Sequence, residues 1–294
     1  MMDDTLLTVL QTVMPVLSIV LLGYVLGRKS SIDPTTLSEL ALWVTAPCFI
    51  FTSLAQNKTS MSEVLVLAGG ALWTALAVAG IAWWATRNNP NRRGFVMCAA
   101  LWNAGNLPVP CLELLLGEEG RQAAVIIFVT IGLLHSTAGI AFTKGRGGFR
   151  EVFKLPLIYA CVLGAAVAAA EVQVPAMIGV PVEWLGNMAI PLMLLALGIQ
   201  LRNLSIRDVR GSVAVASLRI LGGLAAMGSF VWIWDVSGIP RTALLLNAIM
   251  PSAVINHVIT RRYGASPELA ASAIVLTTLL SLVTVPLMLL YLAD

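Results

Sequence analysis

The sequence predicts an all-α polytopic membrane protein of ten transmembrane helices, arranged as two inverted five-helix repeats. The composition predicts the membrane protein: 58% of the 294 residues are hydrophobic and 11% are charged, whereas a soluble domain carries about 25% charged residues. A pattern that recurs at half the chain length predicts the repeats. A chain this apolar cannot cover a soluble surface, which disfavours a soluble enzyme, a disordered protein and a nucleic-acid binder.

Ten apolar segments are each near the length of about 20 residues that a membrane-spanning helix needs. The connections between them are short and carry most of the charge. We number the segments 1 to 10; they span residues 5–27, 36–55, 64–86, 94–116, 122–143, 154–172, 181–201, 212–234, 241–260 and 268–292. The acidic start MMDD differs from the basic start of a signal peptide, so we expect segment 1 to be retained.

The basic residues are sorted between the two sides of the predicted bundle. Of the 18 lysines and arginines, 14 lie in connections on the side opposite the termini, 3 lie on the terminal side, and Arg219 lies within segment 8. Basic connections stay in the cytoplasm. We therefore expect a multi-pass protein of the plasma (inner) membrane with both termini outside the cytoplasm.

Two pairs of similar sequences indicate an internal duplication. Segments 2 and 7 each contain a proline and a glutamine nine residues apart, Pro47 with Gln56 and Pro191 with Gln200. The connection GEEGRQAA after segment 4 resembles GASPELAA after segment 9. Because each half holds five segments, the second half enters the membrane inverted, as in many secondary transporters. The predicted units are a first repeat over 1–143, a cytoplasmic linker over 144–153 and a second repeat over 154–294.

Segments 4 and 9 carry helix-interrupting residues at corresponding places. The cluster in segment 4 is Asn103, Gly105, Asn106, Pro108 and Pro110, and the cluster in segment 9 is Asn247, Pro251, Ser252, Asn256 and His257. Proline removes a backbone donor and glycine loosens the chain. Opened backbone is tolerated in a membrane where it lines an enclosed cavity, so paired breaks predict a transport site. The alternative is a pair of simple proline kinks, with asparagines joining neighbouring helices.

These residues resemble a known family. GNLPVPCLELLLGEEG and the stretch from Met250 to Leu290 are similar to the two crossover regions of the auxin efflux carrier family, which includes plant auxin exporters and bacterial malonate or malate carriers. The resemblance covers essentially the whole chain. It implies a fold like that of bile-acid symporters and sodium–proton antiporters, with broken helices 4 and 9 crossing at the midplane. It also implies that helices 3–5 and 8–10 move as an elevator against a scaffold of helices 1, 2, 6 and 7, with a homodimer formed through helices 2 and 7.

The resemblance assigns substrate binding to Asn103, Pro110, Pro251 and Asn256. This chain departs from the family where Pro108-Val109-Pro110 replaces a common Gly-Leu-Pro. From the helix breaks and the resemblance together, the expected substrate-binding residues are Asn103, Gly105, Asn106, Pro108, Pro110, Pro251, Ser252 and Asn256. The amino-terminal ends of opened helices favour an anion, and asparagines offer both donors and acceptors without a net charge.

Four titratable residues inside the segments are candidates for ion coupling or charge compensation. Glu113 either faces the cavity or extends to the interface, and Arg219 either balances an anionic substrate or reaches back to the interface. His135 lies deeper than His257 and is the better candidate for proton coupling, although a structural hydrogen bond also explains either histidine. No paired carboxylates are found in the segments, which disfavours a sodium–proton antiporter.

The sequence therefore predicts a secondary transporter of small organic anions, such as auxin-like, malonate-like or malate-like carboxylates. The alternative on the same fold is a sodium-coupled symporter of bile-acid-like or other organic anions. An intramembrane enzyme would need a nucleophile with its base, two facing aspartates or a metal triad, and the segments offer no such set. A sensory domain would need an output domain, and the sequence shows none. Both alternatives are therefore disfavoured. We expect no cofactor, no metal and no nucleic-acid partner. The four cysteines, Cys48, Cys98, Cys111 and Cys161, are expected to be small apolar residues.

Overall fold

The computed structural model describes residues 2–56, 59–144, 156–203 and 206–293. Within these ranges the chain forms α-helices joined by short connections. The helices are α1 Met2–Lys29, α2 Pro34–Leu40, α3 Ala46–Ala55, α4 Met61–Ala85, α5 Arg92–Ala100, α6 Pro108–Leu134, α7 Ile140–Lys144, α8 Pro156–Ala169, α9 Ala176–Asn187, α10 Ala189–Asn203, α11 Val209–Ser217, α12 Gly223–Ile233, α13 Gly238–Ala248, α14 Ile255–Arg262 and α15 Pro267–Ala293. The predicted linker, apart from Lys144, lies outside the described residues.

The helices are those of a polytopic membrane protein. Among the described residues, seven helices are long and apolar enough to cross a membrane. Segments 4 and 9 do not count among them as whole helices, because each is divided near its middle, and segment 6 corresponds to the shorter α8. The last part of segment 4 continues into segment 5 through a bend at Gly117, whose φ of +67° suits glycine. The arrangement as ten helices in two inverted repeats stays a prediction.

Segments 1, 2, 6 and 7 pack against one another. Helix α1 packs along α10, and α3 packs between α8 and α9. The contact between α1 and α10 is close because it is made through glycines. A Cβ atom at Gly198 would collide with the carbonyl oxygen of Val20, and one at Gly23 would collide with that of Leu195. These four segments therefore form one closely packed group.

The remaining segments form a second group around the two divided helices. Helix α4 packs against α5, α6, α12 and α13, while α15 packs against α5, α11 and α14. Helices α1 and α3 contact α6, which joins the two groups.

Three helices contain a short π-helical turn, at Ala41–Thr45, His135–Gly139 and Leu218–Gly222. The second turn begins with His135 and the third contains Arg219. Single π-turns inside α-helices are frequent at functional sites. Both buried titratable candidates from the sequence therefore occupy backbone that departs from the regular helix.

Candidate functional site

The two interrupted helices cross at their breaks. The chain is extended between α5 and α6 and again between α13 and α14, and an isolated antiparallel bridge pairs Trp102 with Ser252. The Asn103 amide donates to the Pro251 carbonyl at 2.8 Å, and the Ala253 amide donates to the Leu101 carbonyl at 3.3 Å. The two extended pieces thus satisfy each other's backbone groups, which is a requirement for non-helical backbone inside a membrane.

On the first strand of the crossing, Asn103 organises the start of α6. Its side-chain oxygen accepts a hydrogen bond from the Asn106 amide at 3.0 Å. Gly105 lies against Phe128 and Met193, and a Cβ atom there would come within 2.8 Å of the Phe128 ring. Pro108 is the first residue of α6, a position where its missing N–H costs nothing. Pro110 follows on the same first turn and is buried.

Asn106 faces a different neighbour from Asn103. Its side-chain nitrogen lies 3.5 Å from the Met193 carbonyl oxygen of α10, and the residue is half-buried, whereas the residues on either side of it are buried. Asn106 therefore lies where the crossing meets the packed group of segments 1, 2, 6 and 7.

On the second strand of the crossing, Asn256 is fully buried and connects both broken helices. Its side-chain nitrogen donates to the Leu101 carbonyl at 2.8 Å and lies 3.1 Å from the Ser252 hydroxyl. The Ser252 amide donates to the Thr277 hydroxyl of α15 at 3.1 Å. Pro251 offers its carbonyl to the other strand, as described above. The structure therefore brings Asn103, Pro251, Ser252 and Asn256 together.

Arg219 fills the space between two helix ends at the crossing. Its side chain is 0% exposed, so it does not reach the membrane interface. One terminal nitrogen, Nη1, lies 3.0 Å from the Ala99 carbonyl oxygen at the end of α5, and Nη2 lies 3.1 Å from the Ala248 carbonyl oxygen at the end of α13. Each helix carboxyl end carries about −0.5 charge. Two such ends together balance about one positive charge, which is what the guanidinium supplies.

The other titratable candidates occupy three different environments. His135 is buried, and its Nε2 atom lies 3.1 Å from the side-chain oxygen of Asn256. His257 is half-buried, with Nδ1 3.1 Å from the carbonyl oxygen of Pro267, the first residue of α15. Glu113 is half-buried on the turn of α6 that follows Pro110. Of these three residues, His135 is the one that contacts the crossing.

Two residues of the crossing were not predicted from the sequence. Trp102 donates its indole N–H to the Asn247 side chain at 3.0 Å, and its ring lies under the Arg219 guanidinium at 4.8 Å. Thr277 supplies the hydroxyl that accepts from Ser252. Both lie in apolar stretches that look like ordinary lipid-facing or core helix, so their polar contacts leave no signal in the sequence pattern.

The crossing separates positive and negative helix ends within a few residues. Helices α5 and α13 end there with their carboxyl ends, which Arg219 neutralises, whereas α6 and α14 begin there with their amino ends. Amino ends of helices carry about +0.5 charge, which attracts anions. The two amino ends therefore give the crossing a positive potential that favours a small anion.

Comparison with known proteins finds a matching family and similar transporters from other organisms. The membrane transport protein family matches the chain over residues 8–154 and 146–289. An "Uncharacterized transporter" of Methanothermobacter thermautotrophicus is 30% identical, over 94% of this chain and 96% of the relative. A second "Uncharacterized transporter", from Methanocaldococcus jannaschii, is 24% identical, over 95% of this chain and 97% of the relative.

The name of a third relative, from Rhizobium meliloti, includes a substrate. This "Putative malonate transporter" is 24% identical, over 93% of this chain and 92% of the relative. The resemblance seen in the crossover sequences is thus confirmed over almost the whole length of the chain. With its two broken helices crossing at a buried polar site and both matched ranges in one family, the chain belongs to the membrane transport protein family of the auxin efflux carriers.

Proposed function

We propose that this protein is a secondary transporter of small organic anions, with dicarboxylates of the size of malonate as the first class to test. In this function the protein lies in the inner membrane and has no catalytic role. Asn103, Asn106, Ser252 and Asn256 bind the anion together with the backbone of the two breaks. Pro108, Pro110 and Pro251 hold that backbone open, and Gly105 lets the side chains of Phe128 and Met193 pack closely against it.

The observation that carries this proposal is the pairing of the two extended segments. The bridge between Trp102 and Ser252 leaves the amino ends of α6 and α14 at one buried place. In secondary transporters, discontinuous helices whose amino ends meet near the midplane of the bilayer typically bind anionic groups of the substrate. The relative from Rhizobium meliloti supports a dicarboxylate as the anion.

The packing supports an elevator-type mechanism. Segments 1, 2, 6 and 7 pack mainly with one another, and the divided helices pack with α4, α12 and α15. In our proposal the first group is the scaffold and the second group, which carries the crossing, moves the site across the membrane. Asn106 lies at the boundary, 3.5 Å from the Met193 carbonyl oxygen of the scaffold, and this contact must break when the site moves.

The position of Arg219 favours an anion carrier that does not need sodium. Carbonyl oxygens at the carboxyl ends of broken helices are typical ligands of a coupling sodium ion. Here the guanidinium group of Arg219 already occupies the place between such carbonyls, those of Ala99 and Ala248. A sodium ion would be repelled from this place, which disfavours the sodium-coupled alternative.

The test is transport by purified protein in liposomes. The exchange of radiolabelled malonate between the inside and the outside of the liposomes is compared for the wild type, Asn103→Ala and Asn256→Ala. The control is Asn88→Ala, whose asparagine is exposed on the connection after α4. We expect exchange that is independent of sodium. Each buried asparagine supplies hydrogen bonds of about 1 kcal/mol or more, so the two site variants should lose at least about fivefold in apparent affinity. Unchanged exchange in both site variants would contradict the site, and dependence on sodium would favour the alternative.

We also propose a homodimer through the helices of segments 2 and 7. Large apolar side chains on these segments face outward, among them Trp43 and Trp184. A Trp184→Cys variant should form a disulfide-linked dimer in oxidised membranes, whereas Trp232→Cys, which replaces the more exposed Trp232 of α12, should not.

A further inference from the structure

His135 lies between two oxygen atoms inside the crossing. The imidazole is 5% exposed. Its Nδ1 atom lies 3.0 Å from the Ile131 carbonyl oxygen, one turn earlier in α6, and its Nε2 atom lies 3.1 Å from the side-chain oxygen of Asn256 on α14. Each ring nitrogen therefore faces one specific partner.

The orientation of the Asn256 amide is fixed by its other contacts. Its nitrogen lies 2.8 Å from the Leu101 carbonyl oxygen and 3.3 Å from that of Met97, and carbonyl oxygens only accept hydrogen bonds. Turning the amide over would direct its oxygen at these two carbonyl oxygens. The amide nitrogen consequently faces α5, and the amide oxygen faces His135.

Both partners of the His135 ring are therefore acceptors. A neutral imidazole has one N–H group and one bare nitrogen, whereas the imidazolium has two N–H groups. In either neutral tautomer the bare ring nitrogen faces an acceptor oxygen, and when Nδ1 donates to Ile131 the bare nitrogen is Nε2, which faces the oxygen of Asn256. Binding of a proton at Nε2 replaces this repulsion by a hydrogen bond. Proton binding and the contact between α6 and α14 are thus linked at this atom.

Three charged or titratable groups near His135 bond to other partners. On α5 the Arg93 side chain donates to the Thr143 carbonyl at 3.3 Å, and on α14 His257 contacts Pro267. Arg219 donates to the carboxyl ends of α5 and α13, as described above. The remaining such groups on α5, α7 and α14 are Arg92, Cys98, Lys144, Arg261 and Arg262, and α6 itself carries Cys111, Glu113, Glu118, Glu119 and Arg121. Among the described residues, no carboxylate contacts the ring.

We propose that Nε2 of His135 is the proton-binding site that couples proton movement to anion transport. A proton from water on one side binds Nε2, is held by Asn256 while the anion is bound beside it, and returns to water on the other side. The added positive charge lowers the cost of burying an anion. Proton and anion therefore move in the same direction. This inference rests on the proposed function for the identity of the cargo, but the proton site itself can be tested without it.

The first test counts the protons on the ring. The chain has two histidines, so the His257→Gln protein labelled with ¹⁵N-histidine gives the signal of His135 alone in lipid nanodiscs. Between about pH 5 and pH 8, the range in which histidines change charge, we expect two ring protons at the acidic end and one at the basic end. When Asn256→Ala is added to the His257→Gln protein, the His135 ring should carry one proton at the acidic end of this range, where the His257→Gln protein carries two. A ring with one proton throughout this range would overturn the proposal.

The second test measures coupling in liposomes, with malonate as the probe. For each protein, uptake driven by an acidic exterior is divided by exchange measured without a pH difference. His135→Gln keeps an N–H donor for Asn256 but cannot take up a proton in the range in which histidine titrates, so we expect its ratio to fall to about one, while His257→Gln keeps the ratio of the wild type. An unchanged ratio in His135→Gln would overturn the proposal. If the wild type does not exchange malonate, the proposed cargo fails, and the proton count on the ring still decides the role of His135.

Discussion

At the scale of single residues, Arg219 shows how a charge is accommodated in the middle of this membrane protein. A buried ion without compensation is costly, and no carboxylate within the described residues contacts this guanidinium. Its compensation comes instead from the carbonyl oxygens of Ala99, Ala100 and Ala248, and from the face of the Trp102 ring at 4.8 Å. The residue joins the carboxyl ends of α5 and α13, which belong to the two different interrupted helices.

We expect Arg219→Met to destabilise the protein strongly, because three carbonyl oxygens lose their donor inside the membrane. Hydrogen bonds to charged groups contribute about 1.5 to 3 kcal/mol each, so the free energy of unfolding should fall by at least about 3 kcal/mol. Arg219→Lys keeps the charge and should recover part of this loss. Unfolding in detergent measures both variants. Arg210→Met, at an exposed position of α11, is the control and should change stability by less than about 0.5 kcal/mol.

At the scale of helices, the sequence predicts the breaks better than it predicts what holds them together. Pro108, Pro110 and Pro251 act on their own backbone, so their effect can be read locally. The partners of Arg219 are backbone carbonyls 120 and 29 residues away. Every residue carries a carbonyl, so nothing in the sequence distinguishes these acceptors. The same reasoning applies to His135, whose link to Asn256 spans 121 residues.

Helix α12 supplies a direct test of the fit around Arg219. Gly223, at the start of this helix, lies against both the guanidinium and the Ala248 carbonyl oxygen, and a Cβ atom there would collide with both. Gly223→Ala should push the two apart and cost about 1 to 3 kcal/mol, as overpacking does. Gly228→Ala on the same helix meets no atom within 4 Å and is the matched control. An unfolding measurement in which both variants are equally stable would contradict the contact described here.

At the scale of the whole molecule, alternate connections come together on the same side of the bundle. The Ser266 hydroxyl donates to the Asn91 side chain at 2.7 Å, and Lys144 lies over the Tyr263 ring at 5.8 Å. These contacts join the connection after segment 3 to those after segments 5 and 9. All three are among the basic connections that the sequence assigns to one face. Their shared face agrees with the sorting of charges, while the direction in which that face points in the cell stays a prediction.

The opposite ends of the helices form a second, less basic face. There the Arg121 side chain donates to the Ser53 hydroxyl at 3.3 Å, and the Arg241 side chain donates to the Tyr291 hydroxyl at 3.4 Å. Glu118 and Arg121 form an ion pair on the same connection. A face with few lysines and arginines, some of them paired, is the one that the positive-inside rule assigns to the exterior.

Labelling from one side of the membrane decides the orientation of the two faces. In a variant without the four native cysteines, a single cysteine replaces either Asn88 or Glu119, both exposed and on opposite faces. Because basic connections are retained in the cytoplasm, an impermeant maleimide on intact cells should label Glu119→Cys at once, and Asn88→Cys only after the membrane is opened. The reverse pattern would invert the whole topology. The side of the membrane from which the proton and the anion enter the crossing would then be the opposite one, because this side is set by the orientation of the protein.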